Sequence, residues 1–166
     1  MKSEVPVEET LRQRMRRFIH GELTLAEAEG MTWEQAQEIG KIGCELASCG
    51  RLEDARTIFE GLVAGNPKDT SAQAALGTVY QKLRRLDDAL ECYDAALSLF
   101  ADNVVALANR GELRLRRGDK AGLADLARAV QLDPDGTSAA ARRSRSILQA
   151  LARVEAHAAP PGVLTH

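Results

Sequence analysis

The chain has 166 residues, with 22 Lys and Arg against 24 Asp and Glu, a formal net charge of -2. The length predicts a single domain, and the charge balance excludes a protein drawn to nucleic acid or an anionic membrane by its overall charge. Hydrophobic residues make up 45% of the chain but aromatic residues only 4%, and the abundance of Ala and Leu favours helices over strands.

The N-terminal part is expected to be disordered in residues 1–7 and to form a helix and a connector in residues 8–35. An apolar stripe at helical spacing defines this helix, which Gly21 ends: Leu11, Met15, Phe18 and Ile19. We interpret the arginines between them as a solvated helix face, with a site for a charged partner as the alternative. The segment GELTLAEAEGMT then leads to a capped helix start at Thr32.

An internal repeat dominates the rest of the chain. Matching residues lie 34 positions apart: Gly43 and Gly77, Ala55 and Ala89, and Phe59 and Tyr93. This is the period of the tetratricopeptide repeat, in which two antiparallel helices form a hairpin. Small residues let the two helices cross closely and the aromatic ring fills the space behind them. Stacked hairpins form a solenoid with a concave face.

We place three repeats in residues 36–69, 70–103 and 104–136, within a repeat region of residues 36–137. The third copy runs one residue short at Gly122 and Leu126, so a deletion is expected in the turn between Gly118 and Gly122, where length changes cost little. A capping helix over residues 138–154 and a disordered tail over residues 155–166 follow. The predicted fold class is therefore all-α, a solenoid of three helical hairpins with an N-terminal helix and a C-terminal capping helix.

The first helix of each hairpin lines the concave face in repeats of this kind. The corresponding positions predict a peptide-binding groove of small, mildly apolar and amide side chains: Gln37, Gly40, Cys44, Ala47, Ser71, Ala74, Thr78, Gln81, Val105, Ala108, Glu112 and Leu115. Small side chains leave room for an extended peptide or a slim helix, and the few polar groups fix its register.

Catalytic and metal-binding patterns are absent from the sequence. The three histidines, His20, His157 and His166, have no partner at a ligand spacing. The adjacent acids Asp87 and Asp88 stand at a predicted helix start, where they favour the helix dipole rather than acid–base chemistry. We therefore expect no enzyme, no metal and no cofactor. Trp33 is either a staple between connector and first repeat or, if exposed, a contact site.

The three cysteines, Cys44, Cys49 and Cys92, form no Cys-x-x-Cys pair and fall in stretches with helical patterning. They predict small groove or core residues in a reducing compartment. Early acidic residues are untypical of a signal peptide, and no apolar run approaches the roughly 18 residues of a membrane-spanning helix. We expect a cytoplasmic protein that does not insert into a membrane.

The connector GELTLAEAEGMTWEQ, followed by the repeats, resembles the class II chaperones of bacterial type III secretion systems. The residues that match their connector pattern are Gly21, Thr24, Leu25, Gly30, Met31 and Thr32, and those that match the first repeat are Gly50, Asp54, Ala55, Phe59 and Leu62. These chaperones hold hydrophobic translocator proteins before export. The resemblance covers about residues 10–151, although any tetratricopeptide protein supplies its repeat part.

The resemblance implies a bacterial cytoplasmic chaperone that covers an apolar segment of a secreted translocator in its concave groove. It also implies a homodimer through the N-terminal helix, although the same stripe could equally pack on the first repeat. The family usually places tyrosines where this chain has Gly40, Cys44 and Ala47, so the bound anchors would have to be larger or the groove used differently. The alternatives are an adaptor that scaffolds an envelope or pilus assembly complex and, less favoured, a subunit of an enzyme.

Overall fold

The computed structural model describes residues 10–158, apart from the side chains of Leu11, Arg12, Met15, Phe18 and Ala158. Residues 1–7 and most of the expected tail lie outside this range. All regular secondary structure within it is helical: α1 (Leu11–Ile19), α2 (Leu25–Glu29), α3 (Trp33–Ser48), α4 (Leu52–Gly65), α5 (Thr70–Lys82), α6 (Leu86–Leu99), α7 (Val104–Arg116), α8 (Gly122–Leu132) and α9 (Ala139–Ala158).

The helices form three successive hairpins, α3 with α4, α5 with α6 and α7 with α8. Each second helix also packs against the first helix of the next hairpin, and α9 packs against α7 and α8 at the C-terminal end. The predicted all-α tetratricopeptide-repeat solenoid is confirmed.

The same contact holds each hairpin together. A Cβ atom added at Gly43 would lie 2.8 Å from a ring carbon of Phe59, and one at Gly77 would lie 2.7 Å from a ring carbon of Tyr93. Phe59 and Tyr93 are buried in the core. Each ring therefore occupies the space that any larger residue at the glycine would need, because protein interiors leave few voids. In the third hairpin, Leu126 takes the place of the ring and lies 3.0 Å from the corresponding point at Gly111.

The connector contains a short helix, α2, for which no secondary structure was predicted from the sequence. Thr24 and Glu27 form a capping box, in which the Thr24 hydroxyl accepts from the Glu27 backbone and the Glu27 carboxylate accepts from the Thr24 backbone. Gly30 ends α2 in the left-handed conformation with φ of 89°. The helix packs on α4, where Ala26 lies against Gly65. The T-x-x-E pattern of a capping box was present in the sequence.

The one-residue deletion in the third hairpin is accommodated at the start of α8. Backbone hydrogen bonds from Gly122 to Asp119 and from Leu123 to Lys120 join residues three apart. This tighter pattern uses three residues per turn instead of 3.6. Gly122 also comes close to α7, since an added Cβ atom would collide with the Gly111 carbonyl oxygen. The tightened turn therefore absorbs the missing residue while α8 keeps its packing.

The capping helix α9 runs to Ala158, four residues past the expected end at Val154. Its last residues are good helix formers, and no proline interrupts them before Pro160 in the sequence. At the other end, the Asp133 carboxylate accepts hydrogen bonds from the backbone of Ser138 at 2.7 Å and of Thr137 at 2.9 Å. These bonds to the ionised form hold the pKa of Asp133 well below its usual range.

The contact between glycine and ring predicts opposite effects for two glycine-to-alanine substitutions. Gly77→Ala should lower the free energy of unfolding by about 2 kcal/mol, because its methyl group must displace the Tyr93 ring. Gly61→Ala should raise it by about 0.8 kcal/mol, because Gly61 is exposed within α4, nothing lies within 4 Å of its added Cβ atom, and alanine is the better helix former. Urea denaturation followed by circular dichroism measures both, and equal stability of Gly77→Ala and the wild type would contradict the packing argument.

Candidate functional site

A groove runs across the first helices of the hairpins, α3, α5 and α7. It consists of three adjoining cavities. The Trp33 pocket, of about 550 Å³, includes Trp33, Gly40, Cys44, Phe59, Leu62 and Ala75. The central pocket, of about 400 Å³, includes Cys44, Ala47, Phe59, Thr78, Lys82 and Val105. The basic pocket, of about 630 Å³, includes Ala47, Gln81, Lys82, Arg84, Glu112, Arg116 and Arg143. Because neighbouring pockets share residues, the three form one continuous surface.

The structure brings most of the predicted groove residues to this surface. The residues found there are Gln37, Gly40, Cys44, Ala47, Ser71, Ala74, Thr78, Gln81, Val105 and Glu112. Two others do not line any of the three pockets. Ala108 is only 1% exposed and belongs to the core, and the Leu115 side chain packs towards α8, 2.9 Å from an added Cβ atom at Gly122. Both positions face the close crossing of α7 with its neighbours, which the repeat pattern alone does not reveal.

The small residues on α3 deepen the Trp33 pocket. An added Cβ atom at Gly40 would lie 3.8 Å from a Leu62 methyl carbon, so the pocket extends past α3 to α4. Phe59, which is nearly fully buried, forms part of its floor. A cavity with an apolar floor, open at its mouth, suits a large apolar side chain. The pocket is therefore enlarged by the small residues Gly40 and Cys44, which stand where the resembling family usually has tyrosines.

Trp33 is the most conspicuous exposed side chain beside this pocket, at 66% exposure. An indole ring offers a large contact area with few rotatable bonds, and tryptophan is common at the energetic centres of interfaces. Of the two interpretations of Trp33, the structure favours the contact site, because the side chain lines the groove and is largely exposed, although it also borders a second cavity with the connector residues Thr24, Ala26 and Met31.

A hydrogen-bonded network underlies the centre of the groove. The Tyr93 hydroxyl donates to the Gln81 side-chain oxygen at 2.9 Å, and the Asn109 amide donates to the Thr78 hydroxyl at 3.0 Å. Arg143 of the capping helix donates to the Asn109 side-chain oxygen. Burial raises the pKa of Tyr93 to about 12, so its hydroxyl remains a hydrogen-bond donor even in moderately alkaline solution. The network restricts the conformations of the Gln81 and Thr78 side chains that line the groove.

Asn109 and Arg143 belong to the site although the sequence pattern did not predict them. Asn109 is buried beneath the groove, one position after Ala108 on α7, and no periodic signal separates it from other polar residues of that helix. Arg143 comes from α9, outside the repeats, and donates from Nε to Glu112 at 2.9 Å. Arg116 donates to the other Glu112 oxygen at 2.6 Å. Only the fold brings Arg143 of α9 to Asn109 and Glu112 of α7.

The predicted dimerisation stripe is described only at its end. The side chains of Leu11, Met15 and Phe18 lie outside the described part of the structure, and Ile19 is 75% exposed. Helix α1 packs against α2, and an added Cβ atom at Gly30 would lie 2.8 Å from the Arg14 guanidinium.

Comparison with known proteins places the fold among tetratricopeptide-repeat proteins. A family model described as tetratricopeptide repeat matches residues 46–110. A comparison with curated proteins gives no match. The solved structures that resemble the chain include the type III secretion translocator chaperone SycD of Yersinia enterocolitica, which is 21% identical, with a TM-score of 0.68 over 76% of this chain and 97% of SycD.

Two further structures extend this likeness. PcrH of Pseudomonas aeruginosa is 21% identical, with a TM-score of 0.66 over 74% of this chain and 96% of PcrH. The first TPR of Spaghetti (RPAP3), bound to an HSP90 peptide, is 20% identical, with a TM-score of 0.61 over 73% of this chain and 96% of that one. SycD has also been solved with a peptide of the translocator YopD, and PcrH with the chaperone-binding regions of PopD and PopB. At these identities the likeness establishes the fold.

Residues 10–158 contain neither a membrane-spanning helix nor a metal-binding cluster. No helix there is long and apolar enough to span a membrane. No group of three or more His, Cys, Asp and Glu side chains among the described residues is arranged to hold a metal ion.

The reactivity of the three thiols tests which cysteines are exposed and which is buried. Cys44 and Cys49 are exposed, whereas Cys92 is buried and its burial raises the pKa to about 11. Since the thiolate is the reactive form, we expect Ellman's reagent at pH 8 to modify two thiols rapidly and the third only after unfolding in guanidinium. The variants Cys44→Ser and Cys49→Ser should each remove one rapid equivalent. Rapid reaction of all three thiols in the native protein would contradict this placement of Cys92.

Proposed function

We propose that this chain is a cytoplasmic chaperone of a bacterial type III secretion system. It binds an extended segment of a hydrophobic secreted translocator in the groove and keeps that protein soluble before export. The observation that carries the proposal is the continuous groove of small side chains, on a fold that it shares with SycD and PcrH. The bound translocator segments of those two proteins support the choice of client.

The groove geometry suggests how a client segment is held. An apolar anchor enters the Trp33 pocket and contacts Phe59, where burial of one large side chain contributes about 1.5–3 kcal/mol. Polar side chains such as Ser71 and Thr78 border the central pocket and fix the register of the segment. A segment covered in this way is withheld from aggregation and from early association with other apolar surfaces.

Binding, rather than catalysis, is the activity that these residues support. Among the described side chains, Asp125 is the one charged side chain that is buried, with 7% exposure. Its two oxygens accept hydrogen bonds from Arg110 at 2.8 and 2.7 Å, and Arg114 donates to one of them at 2.9 Å. A carboxylate paired in this way is a structural cross-link between helices, since neither oxygen is left to act as a base.

We also propose that the chaperone forms a homodimer through α1. The stripe of Leu11, Met15, Phe18 and Ile19 supplies the apolar face. Two observations support this proposal: Ile19 is exposed, and α1 contacts α2 but neither helix of the first repeat among the described residues. An apolar stripe that the chain itself leaves uncovered favours a partner surface.

The chaperone proposal predicts that one charged residue in the groove abolishes client retention. We expect co-expression with a candidate hydrophobic translocator from the same genome to yield soluble client that co-purifies with wild type and with Cys49→Arg. Cys44→Arg should retain less than a tenth as much, because arginine would fill the junction of the Trp33 and central pockets. Substitutions at Ala74 or Ala108 would be less informative, since both are buried and a charge there would disrupt folding.

The control rests on the exposure of both cysteines, which makes their arginine variants comparable in charge and in expected stability. Bound client should also slow the reaction of Cys44 with Ellman's reagent and leave Cys49 unaffected. Equal client retention by the two arginine variants, or none by the wild type, would replace the chaperone with an adaptor that uses another surface to scaffold an assembly complex.

The dimer proposal predicts a change of mass in solution. Light scattering should give a dimer for the wild type and a monomer for the double variant Leu11→Asp with Phe18→Asp, because two carboxylates in an apolar interface are not compensated. The matched control is Leu151→Asp with Val154→Asp, which adds the same charge to another exposed apolar stripe. A monomeric wild type, or a dimer that survives the α1 substitutions, would rule out this interface.

A further inference from the structure

The basic pocket differs in charge from the rest of the groove. Four cationic side chains line it, Lys82, Arg84, Arg116 and Arg143, together with one carboxylate, that of Glu112. This concentration of positive charge stands on a chain whose formal net charge is -2. Clustered charge of one sign in a concave site attracts a ligand of the opposite sign beyond the pull of each pair alone.

The single carboxylate is already satisfied. One Glu112 oxygen accepts from Arg116 at 2.6 Å and the other from Arg143 at 2.9 Å. Lys82 donates to a backbone carbonyl, that of Ala47, at 3.2 Å. Neither Lys82 nor Arg84 has an acidic partner among the described residues of the chain. Positive charge is therefore left over at this end of the groove.

Arg84 has an unfavourable backbone conformation. It occupies the turn between α5 and α6 with φ of 63°, in the left-handed region that L residues other than Asn and Asp rarely adopt. Gly50 and Gly118 stand at the same place in the other hairpins, with φ of 79° and 81°. A glycine would adopt this conformation without strain. The chain instead carries a strained cation at the rim of the basic pocket, which is consistent with a role for its charge.

We infer that the basic pocket binds Asp or Glu side chains of the client, next to the apolar anchor held in the Trp33 and central pockets. This inference rests on the proposed chaperone function, since it specifies the segment that the groove accepts. The central and basic pockets share Ala47, Thr78 and Lys82, so a single extended chain passes from one to the other. The groove therefore selects a segment with an apolar part followed or preceded by an acidic part.

The test uses fluorescein-labelled synthetic peptides with the apolar core Leu-Ala-Leu-Ala-Phe. Three Glu residues precede or follow the core, and each peptide has a counterpart with three Gln. The direction of the bound chain decides which of the two Glu peptides fits. We expect that peptide to bind the wild type about tenfold more tightly than its Gln counterpart, as measured by fluorescence anisotropy at 50 mM salt. This preference should fall to about twofold or less at 500 mM salt, because salt screens exposed charges.

Charge removal identifies the residues responsible. Lys82→Gln with Arg84→Gly should bring the affinity ratio of Glu to Gln peptides to about one. The glycine relieves the strained turn, so thermal stability measured alongside should not fall. The matched control, Lys68→Gln with Lys120→Gln, removes two exposed cations that have no acidic partner among the described residues and line none of the three pockets, and it should keep the preference.

The outcomes separate this inference from the chaperone function. Equal binding of the Glu and Gln peptides to the wild type, or binding of neither, would overturn the acidic preference, whatever the client-retention assay shows. An unchanged Glu preference in the Lys82 and Arg84 double variant would overturn it as well. A Glu preference that this variant loses, in a protein that retains no translocator, would support the basic pocket and contradict the chaperone proposal.

Discussion

The fold depends on one repeated contact, an aromatic ring or a leucine side chain lying against a glycine of the neighbouring helix. Gly43 with Phe59 and Gly77 with Tyr93 set how closely the two helices of a hairpin approach. That approach fixes the angle at which the next hairpin stacks, because the second helix of each hairpin packs on the first helix of the following one. The shape of the groove is thus a consequence of how closely the two helices of each hairpin pack.

Phe59 and Tyr93 contribute both to the core and to the groove. Phe59 fills the space behind Gly43, and the Trp33 pocket reaches down to the same ring because Gly40 and Cys44 are small. The Tyr93 ring packs against Gly77, and its hydroxyl donates a hydrogen bond to Gln81, which lines the groove. A substitution that alters either ring therefore changes both the stability of the hairpin and the shape of the groove, whereas a substitution of an exposed groove residue changes the groove alone.

Sequence patterns predicted the repeat, because a 34-residue period of glycine, alanine and aromatic residues is typical of tetratricopeptide hairpins. Ten of the twelve positions that the pattern assigned to the groove line its three cavities, whereas peptide binding by these residues stays a prediction. The pattern did not predict that Leu115 packs towards α8 or that α8 begins with a tightened turn, because both depend on where a missing residue is absorbed. It could not reveal Arg143 either, since this residue reaches the groove from a helix without the period.

The participation of α9 gives the groove a fixed length. Its Arg143 closes one end by bonding to residues of α7, and α3, with Trp33, lies at the other. Four packed helices at spacings of about 10 Å span roughly 30 Å. An extended chain advances about 3.3 Å per residue, so roughly nine residues cross this span. If the groove binds a polypeptide as proposed, its length limits the covered stretch to about nine residues at one time.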